Sequence, residues 1–323
     1  MRDAHCDVVA MEVSSHALDL LRTWHTHFAV TAFSNLTQDH LDYHHTFEAY
    51  FEAKARLFSS DYPAKRVICI DDKWGRELHR RCSGADDWVI TTGFDPIAQI
   101  HPVSVDLQPT HTSVELDVRG RRVSFTYPLV GRFNVENVMC AYGIAMALGI
   151  SHDTITSALS AAPQVPGRLE HVKAKADGGI SVFVDYAHTP DALAKAISSV
   201  KALSRGRTFV VFGCGGNRDV AKRSIMGRVA LDADYAVVTS DNPRNERPED
   251  IIADMKAGVQ PAYAQRVLCI TDRTEAIRTA CMLAQTGDVV LVAGKGHETY
   301  QEVNGVKHHF DDREVIKQIF DEE

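Results

Sequence analysis

The stretch TSDNPRNE (239–246) carries an arginine, Arg244, out of a turn that two rigid residues control. Pro243 fixes its own φ and drives Asn242 toward an extended conformation, so the side chains of Asp241, Asn242, Pro243 and Arg244 are aimed rather than loose. This cluster follows an apolar run, 235–238, and four others stand in the same relation to apolar runs. They are Asp185-Tyr186-Ala187-His188, the stretch from Gly213 to Asp219 that includes Arg218, Thr271-Asp272-Arg273, and Gly294-Lys295-Gly296-His297-Glu298. Strand ends of a parallel sheet converge in space, so five such clusters make a binding site where one would make only a turn. Their glycines permit close backbone approach to a ligand. In the first half, Glu12 directly follows the run DVVAM, and an acid placed after a buried strand can hold Mg2+ beside nucleotide phosphates. NLTQDHLDYH (35–44) offers His40 between acids, and FEAKARLF (51–58) sets Lys54 on an otherwise apolar helix face, where a lone lysine ordinarily snorkels. A zinc site at HLDYHH lacks a further set of regularly spaced ligands.

The elements that must position these groups can be read from periodicity. Residues 7–13, DVVAMEV, read as a buried strand whose pairing partners lie upstream, and this predicts that the chain is a fragment of something longer. A helix is expected over 49–58, a short strand over 67–70, and a hairpin from 114–118 and 123–127 around Arg119-Gly120. A long apolar helix follows over 135–148. Pro163 and Pro166-Gly167 then punctuate the chain, which places a domain boundary there, with residues 1–166 on one side and 167–323 on the other. Beyond it, strands at 182–185, 209–212, 235–239, 267–270 and 289–293 alternate with helices at 191–203, 222–231, 248–255 and 274–283. Such alternation predicts a mostly parallel sheet covered on both faces, a Rossmann-like doubly wound α/β domain. Asn304-Gly305 marks a terminal hairpin, and a last helix starts at Asp312.

Composition narrows the partners. With 323 residues, 45% hydrophobic and 24% charged, the chain suits two globular domains. A net charge of −8 with scattered Lys and Arg leaves no basic stripe for DNA or RNA. Seven cysteines, odd in number and without a C-x-x-C pair, fit a reducing cytoplasm better than a disulfide framework or zinc ribbon. The opening MRDAHCD has no apolar signal core, and no run approaches the roughly 18 apolar residues of a membrane span.

Taken together, MEVSSHAL, NLTQDHLDYH, FEAKARLF, GRFNVENV, PGRLE, VDYAHTPDAL, FGCGGNRD, SDNPR and GKGHE resemble, in type and order, the Mur ligase family, and within it the MurE type. The resemblance spans nearly the whole chain, whereas DYAHTP alone is similar to folylpolyglutamate synthetases as well. It implies an enzyme that activates a carboxylate of UDP-N-acetylmuramoyl-L-alanyl-D-glutamate with ATP. The acyl phosphate is then attacked by an amino group of meso-diaminopimelate, giving an amide, ADP and phosphate. By the same resemblance, Glu12 and His40 ligate Mg2+, Lys54 is carbamylated in support of the metal, and Ser14, Ser15 and His16 line the UDP-sugar peptide site. Asn134 and Asn137 lie near the adenine, although two amides on a helix can equally be caps or solvated. Arg168 meets the terminal phosphates, where a guanidinium suits the charge that spreads over the phosphoryl oxygens. Asp185 and His188 meet the nucleotide. Arg244 takes the D-centre carboxylate of diaminopimelate, with Arg218, Asp241, Asn242, Pro243, Gly294 and Glu298 completing the pocket and Glu298 pairing with the amino group at that end.

The family's glycine-rich phosphate loop and its uridine-holding N-terminal domain are not found in these residues. Lys295 sits in GKG, but Gly296 follows where a Walker loop needs Ser or Thr. The expectation is therefore an incomplete central ATP-binding domain followed by a complete amino-acid-binding domain. Two alternatives remain: a related ligase using another amino acid such as L-lysine, and a non-catalytic remnant that binds an amino acid or a partner subunit.

Overall fold

The computed structural model describes residues 6–37, 41–84, 88–172 and 179–321. By internal contacts the chain forms two units, Met1–Val105 with Val114–Phe125 and Phe133–Ser160, and Asp106–Ser113 with Thr126–Arg132 and Ala161–Glu323.

A six-stranded sheet organises the first part of the chain. It runs in the order β1 (Val30–Phe33), β2 (Lys65–Cys69), β3 (Val89–Thr92), β4 (Ile100–Leu107), β5 (Thr112–Val118) and β6 (Arg121–Tyr127). The first four pair in parallel. Arg119 (φ 55) and Gly120 (φ 87) join β5 to β6. Two consecutive left-handed residues give the connection whose twist matches that of the flanking strands. Around the sheet lie α1 (Ser15–Asp19), α2 (Leu41–His44), α3 (Phe47–Ala55), α4 (Lys73–Cys82), α5 (Arg132–Ala147) and α6 (His152–Ser160). The start of α3 is set by Thr46, whose hydroxyl accepts from the Ala49 amide at 3.1 Å, and that of α4 by Asp72, which accepts from the Gly75 amide at 2.6 Å. Tyr50 and Phe51 of α3 join Ile68, Ile70 and Leu78 in one core cluster.

DVVAMEV is not a strand. Residues 8–13 are irregular, with Val8, Val9 and Met11 at 77%, 50% and 47% exposure. A strand exists only through its ladder, and among the described residues nothing pairs with this run; Val8, Val9 and Met11 stay in solvent, and only Val13 packs on the core.

The second sheet runs β11 (Val267–Cys269), β10 (Tyr235–Val238), β9 (Thr208–Phe212), β12 (Val289–Ala293), β8 (Ser181–Asp185) and β7 (Glu170–His171). All neighbours are parallel except the short β7 against β8. Strands β9 and β12 are buried at every position, as a sheet covered on both faces requires. The helices are α7 (Pro190–Leu203), α8 (Ala221–Val229), α9 (Pro248–Lys256), α10 (Arg273–Leu283) and α11 (Asp312–Asp321), with a hairpin of β13 (Tyr300–Val303) and β14 (Val306–His309) before the last. Val182, Val184, Val211, Val290 and Val292 pack with Ile277 of α10 and Ile316 and Ile319 of α11 in a second core cluster. No helix among the described residues is long and apolar enough to cross a membrane.

One strand-end cluster serves the fold instead of a site. Asp272 caps α10 by accepting from the Glu275 amide at 3.0 Å. Arg273 turns inward and forms a fork on Asp312 at 2.8 Å per bond, both side chains at 0% exposure, while its Nη2 donates to the Ala293 carbonyl at 3.0 Å. Removing one partner of a buried pair strands the other charge, which typically costs about 3–5 kcal/mol. Arg273→Met is therefore expected to lower the unfolding free energy by about 4 kcal/mol in urea titrations, while Arg273→Met with Asp312→Leu recovers most of the loss.

Candidate functional site

The first unit gathers part of the expected set. Ser14 caps α1 by accepting from the Ala17 amide at 3.1 Å. Ser15, at 1% exposure, pairs with Nε2 of His44 at 2.8 Å, and the His44 ring stacks on Tyr50 of α3 at 5.2 Å. His16 lies 4.2 Å from the Tyr43 ring. Helix α3 packs against α1. On it Lys54 is half-buried, its ammonium 5.3 Å from the centre of the Tyr50 ring. Glu12 is exposed in the irregular segment before α1, and His40 lies outside the described residues. No group of three or more His, Cys, Asp or Glu that could hold a metal occurs among the described residues. Asn134 is buried in the first turn of α5, where its Oδ1 accepts from Asn137 Nδ2 at 3.1 Å, so these two amides are at least partly spent on each other.

In the second unit a cavity of about 410 Å³ opens at the carboxyl ends of four adjacent strands. Tyr186 and His188 come from the end of β8, Gly213 to Gly215 with Arg218 and Asp219 from β9, Asp241, Asn242 and Arg244 from β10, and Gly294 and Glu298 from β12. Its wall carries Arg218, Lys222 and Arg244 together with Asp219, Asp241 and Glu298, so both signs of charge face one space. Such a wall suits a small zwitterion with more than one ionic group, and the volume falls in the ordinary range of ligand cavities.

Arg244 is held from several sides. Its φ of 52 lies in the left-handed region, an unfavourable conformation that its surroundings must impose. The imposition comes from the β13–β14 hairpin: the Arg244 amide donates to the Glu302 carbonyl at 3.0 Å, and the Asn304 amide donates to the Arg244 carbonyl at 2.8 Å. Its guanidinium meets the Glu302 carboxylate through Nε at 3.3 Å and donates from Nη1 to the Gly216 carbonyl at 2.8 Å. A Cβ at Gly216 would come within 1.9 Å of the Pro243 carbonyl oxygen, so only glycine lets the β9 loop pack against the rigid turn. Gly294 is constrained twice, by a φ of 113 and by Asp241 Oδ2, which would lie 2.9 Å from a Cβ. Pro243 contributes backbone to this packing rather than a cavity wall.

Of the remaining expected residues, His188 lines this cavity, whereas Asp185 and Arg168 are not part of its wall. Asp185 accepts from the Leu169 amide at 2.7 Å and the Ala187 amide at 2.8 Å, and burial pushes its carboxyl above the usual carboxylate range. Arg168 is exposed, with its guanidinium 5.4 Å from the centre of the Tyr186 ring. His188 is exposed, and Lys222 donates to its carbonyl at 2.8 Å. The sequence reading missed Glu302 and Tyr300, and it placed Tyr186 and Lys295 in strand-end clusters without giving either a role; the Lys295 side chain is fully buried. Cys214 also lines the cavity, and burial pushes its thiol up to about 12. For Lys295 a signal was present: a lysine between two glycines directly after a fully apolar strand has no solvent to snorkel into.

Residues 1–145 match the Mur ligase middle domain, and residues 167–296 match the Mur ligase glutamate ligase domain. Among curated relatives, the UDP-N-acetylmuramoyl-L-alanyl-D-glutamate–2,6-diaminopimelate ligase of Gloeobacter violaceus is 46% identical over 320 residues, covering 98% of this chain and 64% of its own length. The enzyme of the same name from Parabacteroides distasonis is 43% identical over 325 residues, covering 99% and 65%. A solved structure of a ligase of that name superposes with a TM-score of 0.70 at 37% identity, covering 96% of this chain and 63% of the other. MurF from Thermotoga maritima in complex with ADP shares the fold at a TM-score of 0.67 and 16% identity, covering 96% of this chain and 65% of its own. The chain thus spans about 64% of the length of the curated relatives it matches. With one family domain matched on each side of the Pro166-Gly167 turn, the chain belongs to the Mur ligases, of which it carries the middle and glutamate ligase domains.

Proposed function

We propose that these residues are the larger part of a cytoplasmic, ATP-dependent amide ligase that adds meso-diaminopimelate to UDP-N-acetylmuramoyl-L-alanyl-D-glutamate in peptidoglycan precursor synthesis. The observation that carries the reading is the cavity wall of Arg218, Lys222, Arg244, Asp219, Asp241 and Glu298. An amino acid with two carboxylates and two ammonium groups needs both signs of charge, and the relatives of highest stated identity bear that substrate in their name. Arg244 takes the carboxylate remote from the reacting amine, and Glu298 takes the ammonium beside it. Arg168, Asp185 and His188 serve the nucleotide, with Arg168 on the terminal phosphates, and Asn134 and Asn137 lie near the adenine. Ser14, Ser15 and His16 serve the UDP-sugar peptide. The functional division falls near Pro166.

The donors Glu12, His40 and Lys54 fit Mg2+ only once Lys54 is carbamylated, because an ammonium has no lone pair to offer whereas a carbamate adds hard oxygen. The ion would neutralise phosphate charge during transfer. Ligation assayed with the intact ligase decides the function: mass spectrometry should find the UDP-tripeptide and an equal amount of phosphate, and a product containing L-lysine in preference would overturn the substrate.

Residues 1–323 by themselves are expected to turn over no ATP. Their sequence holds no G-x-x-x-x-G-K-[ST] loop, and each preorganised phosphate donor is commonly worth about 3 kcal/mol in the transition state. Phosphate release that depends on diaminopimelate from this purified chain would contradict the expectation.

A further inference from the structure

Beneath the cavity, Lys295 makes contacts that no phosphate-binding or packing role requires. It follows β12, is 0% exposed, and donates from Nζ to Asn242 Oδ1 and to Glu298 Oε2, each at 3.3 Å. Asn242 Nδ2 donates to the same Glu298 Oε2 at 3.0 Å, and Asn242 Oδ1 also accepts from the Glu302 amide at 2.9 Å. Every polarity in this network is therefore fixed: the amide oxygen faces an ammonium and a backbone N–H, and the amide nitrogen faces a carboxylate. Both donors fall on Oε2, which leaves Oε1 of Glu298 without a partner among the described residues, in a side chain that lines the cavity.

We infer that Lys295 is a positioning residue for amino-acid recognition: it pins Glu298 from behind through one oxygen and presents the other to the ammonium of the incoming amino acid. The inference rests on the proposed use of the cavity for an amino acid. Without the Lys295 ammonium, the Glu298 carboxylate keeps a single bond, from Asn242 Nδ2, and is free to turn about it. Loss of Lys295 also removes a cation near the ligand's own, an effect of opposite sign. The lost orientation of a partly buried carboxylate is the larger effect.

The test is kinetic, on the intact ligase. Lys295→Met is expected to raise KM for diaminopimelate by about tenfold to a hundredfold, with KM for ATP and for the UDP-sugar peptide within about twofold. In a Glu298→Gln background the same substitution is expected to change the diaminopimelate KM by less than about threefold, because a residue that acts through Glu298 has nothing left to position. An unchanged amino-acid KM in Lys295→Met, equal penalties in both backgrounds, or a parallel rise of all three KM values would overturn the role. Should Lys295→Met not fold, Glu298→Gln is compared with the double variant, in which the buried charges are removed together: matching KM values support the role, and a further tenfold rise overturns it. A wild type that ligates a different amino acid defeats the substrate assignment alone, and that amino acid then becomes the probe for the variants.

Discussion

Arg244→Ala in the intact ligase is expected to lose about 10³-fold in kcat/KM for meso-diaminopimelate while its activity with L-lysine stays as low as before. A site built to bond a polar group commonly rejects an analogue lacking it by about 10⁴-fold, because the buried donors are left unpaired. Here the penalty is reduced, since Glu302 and the Gly216 carbonyl already occupy Nε and one donor of Nη1. What remains for a ligand is the Nη2 side of a planar fork, enough for a carboxylate but not for the bare end of lysine. Arg244→Lys separates charge from geometry: it keeps a cation but offers no fork, so it should recover only a small part of the loss. Competition between the two amino acids, read by mass spectrometry of the product, measures the preference directly. An unchanged preference in Arg244→Ala would mean that the arginine only ties the β9 loop to the hairpin.

Lys54→Ala is expected to reduce ligation by about 10³-fold or more, with partial recovery on adding formate or acetate. The resemblance gives Lys54 a carbamate, so the group that matters is an anion and a short carboxylate can stand in for it. Lys54→Arg retains the positive charge that the free lysine places over the Tyr50 ring, yet it cannot be carbamylated, and it should be as inactive as the alanine variant. Urea unfolding of both variants against the wild type separates a folding defect from loss of the carbamate. Normal turnover by either variant, measured as phosphate release and product, would remove the carbamate from the reaction.

Local pattern carried most of the second sheet. Runs such as 209–212 and 289–293 are apolar at every position and separated by helices, and that pattern has few other solutions. The same signal misled at DVVAMEV, since an apolar run reports what a segment could bury and not whether a neighbour exists to pair with it. Thr271-Asp272-Arg273 stands at a strand end as expected, yet its arginine points into the fold because Asp312, 39 positions later, waits there. The role of Lys295 was not legible for a related reason: tested against a phosphate-loop pattern it fails, and its partner Asn242 lies 53 positions away. The arginine and the terminal hairpin around Asn304-Gly305 were each legible, but not that the hairpin reaches Arg244 and bends its backbone.

That hairpin changes what it would take to redesign the amino acid this site accepts. Arg244 stands on a peg whose backbone is set by Glu302 and Asn304, and Gln301 Nε2 steadies the neighbouring turn through the Asp241 carbonyl at 2.6 Å. A β-branched side chain placed on that left-handed peg would be strained before any ligand arrived. The natural unit of exchange is therefore a cassette made of residues 241–244 and 300–309 together. Two short segments far apart in the gene would have to be swapped as a pair, and libraries that randomise only the arginine would sample mostly misdirected side chains.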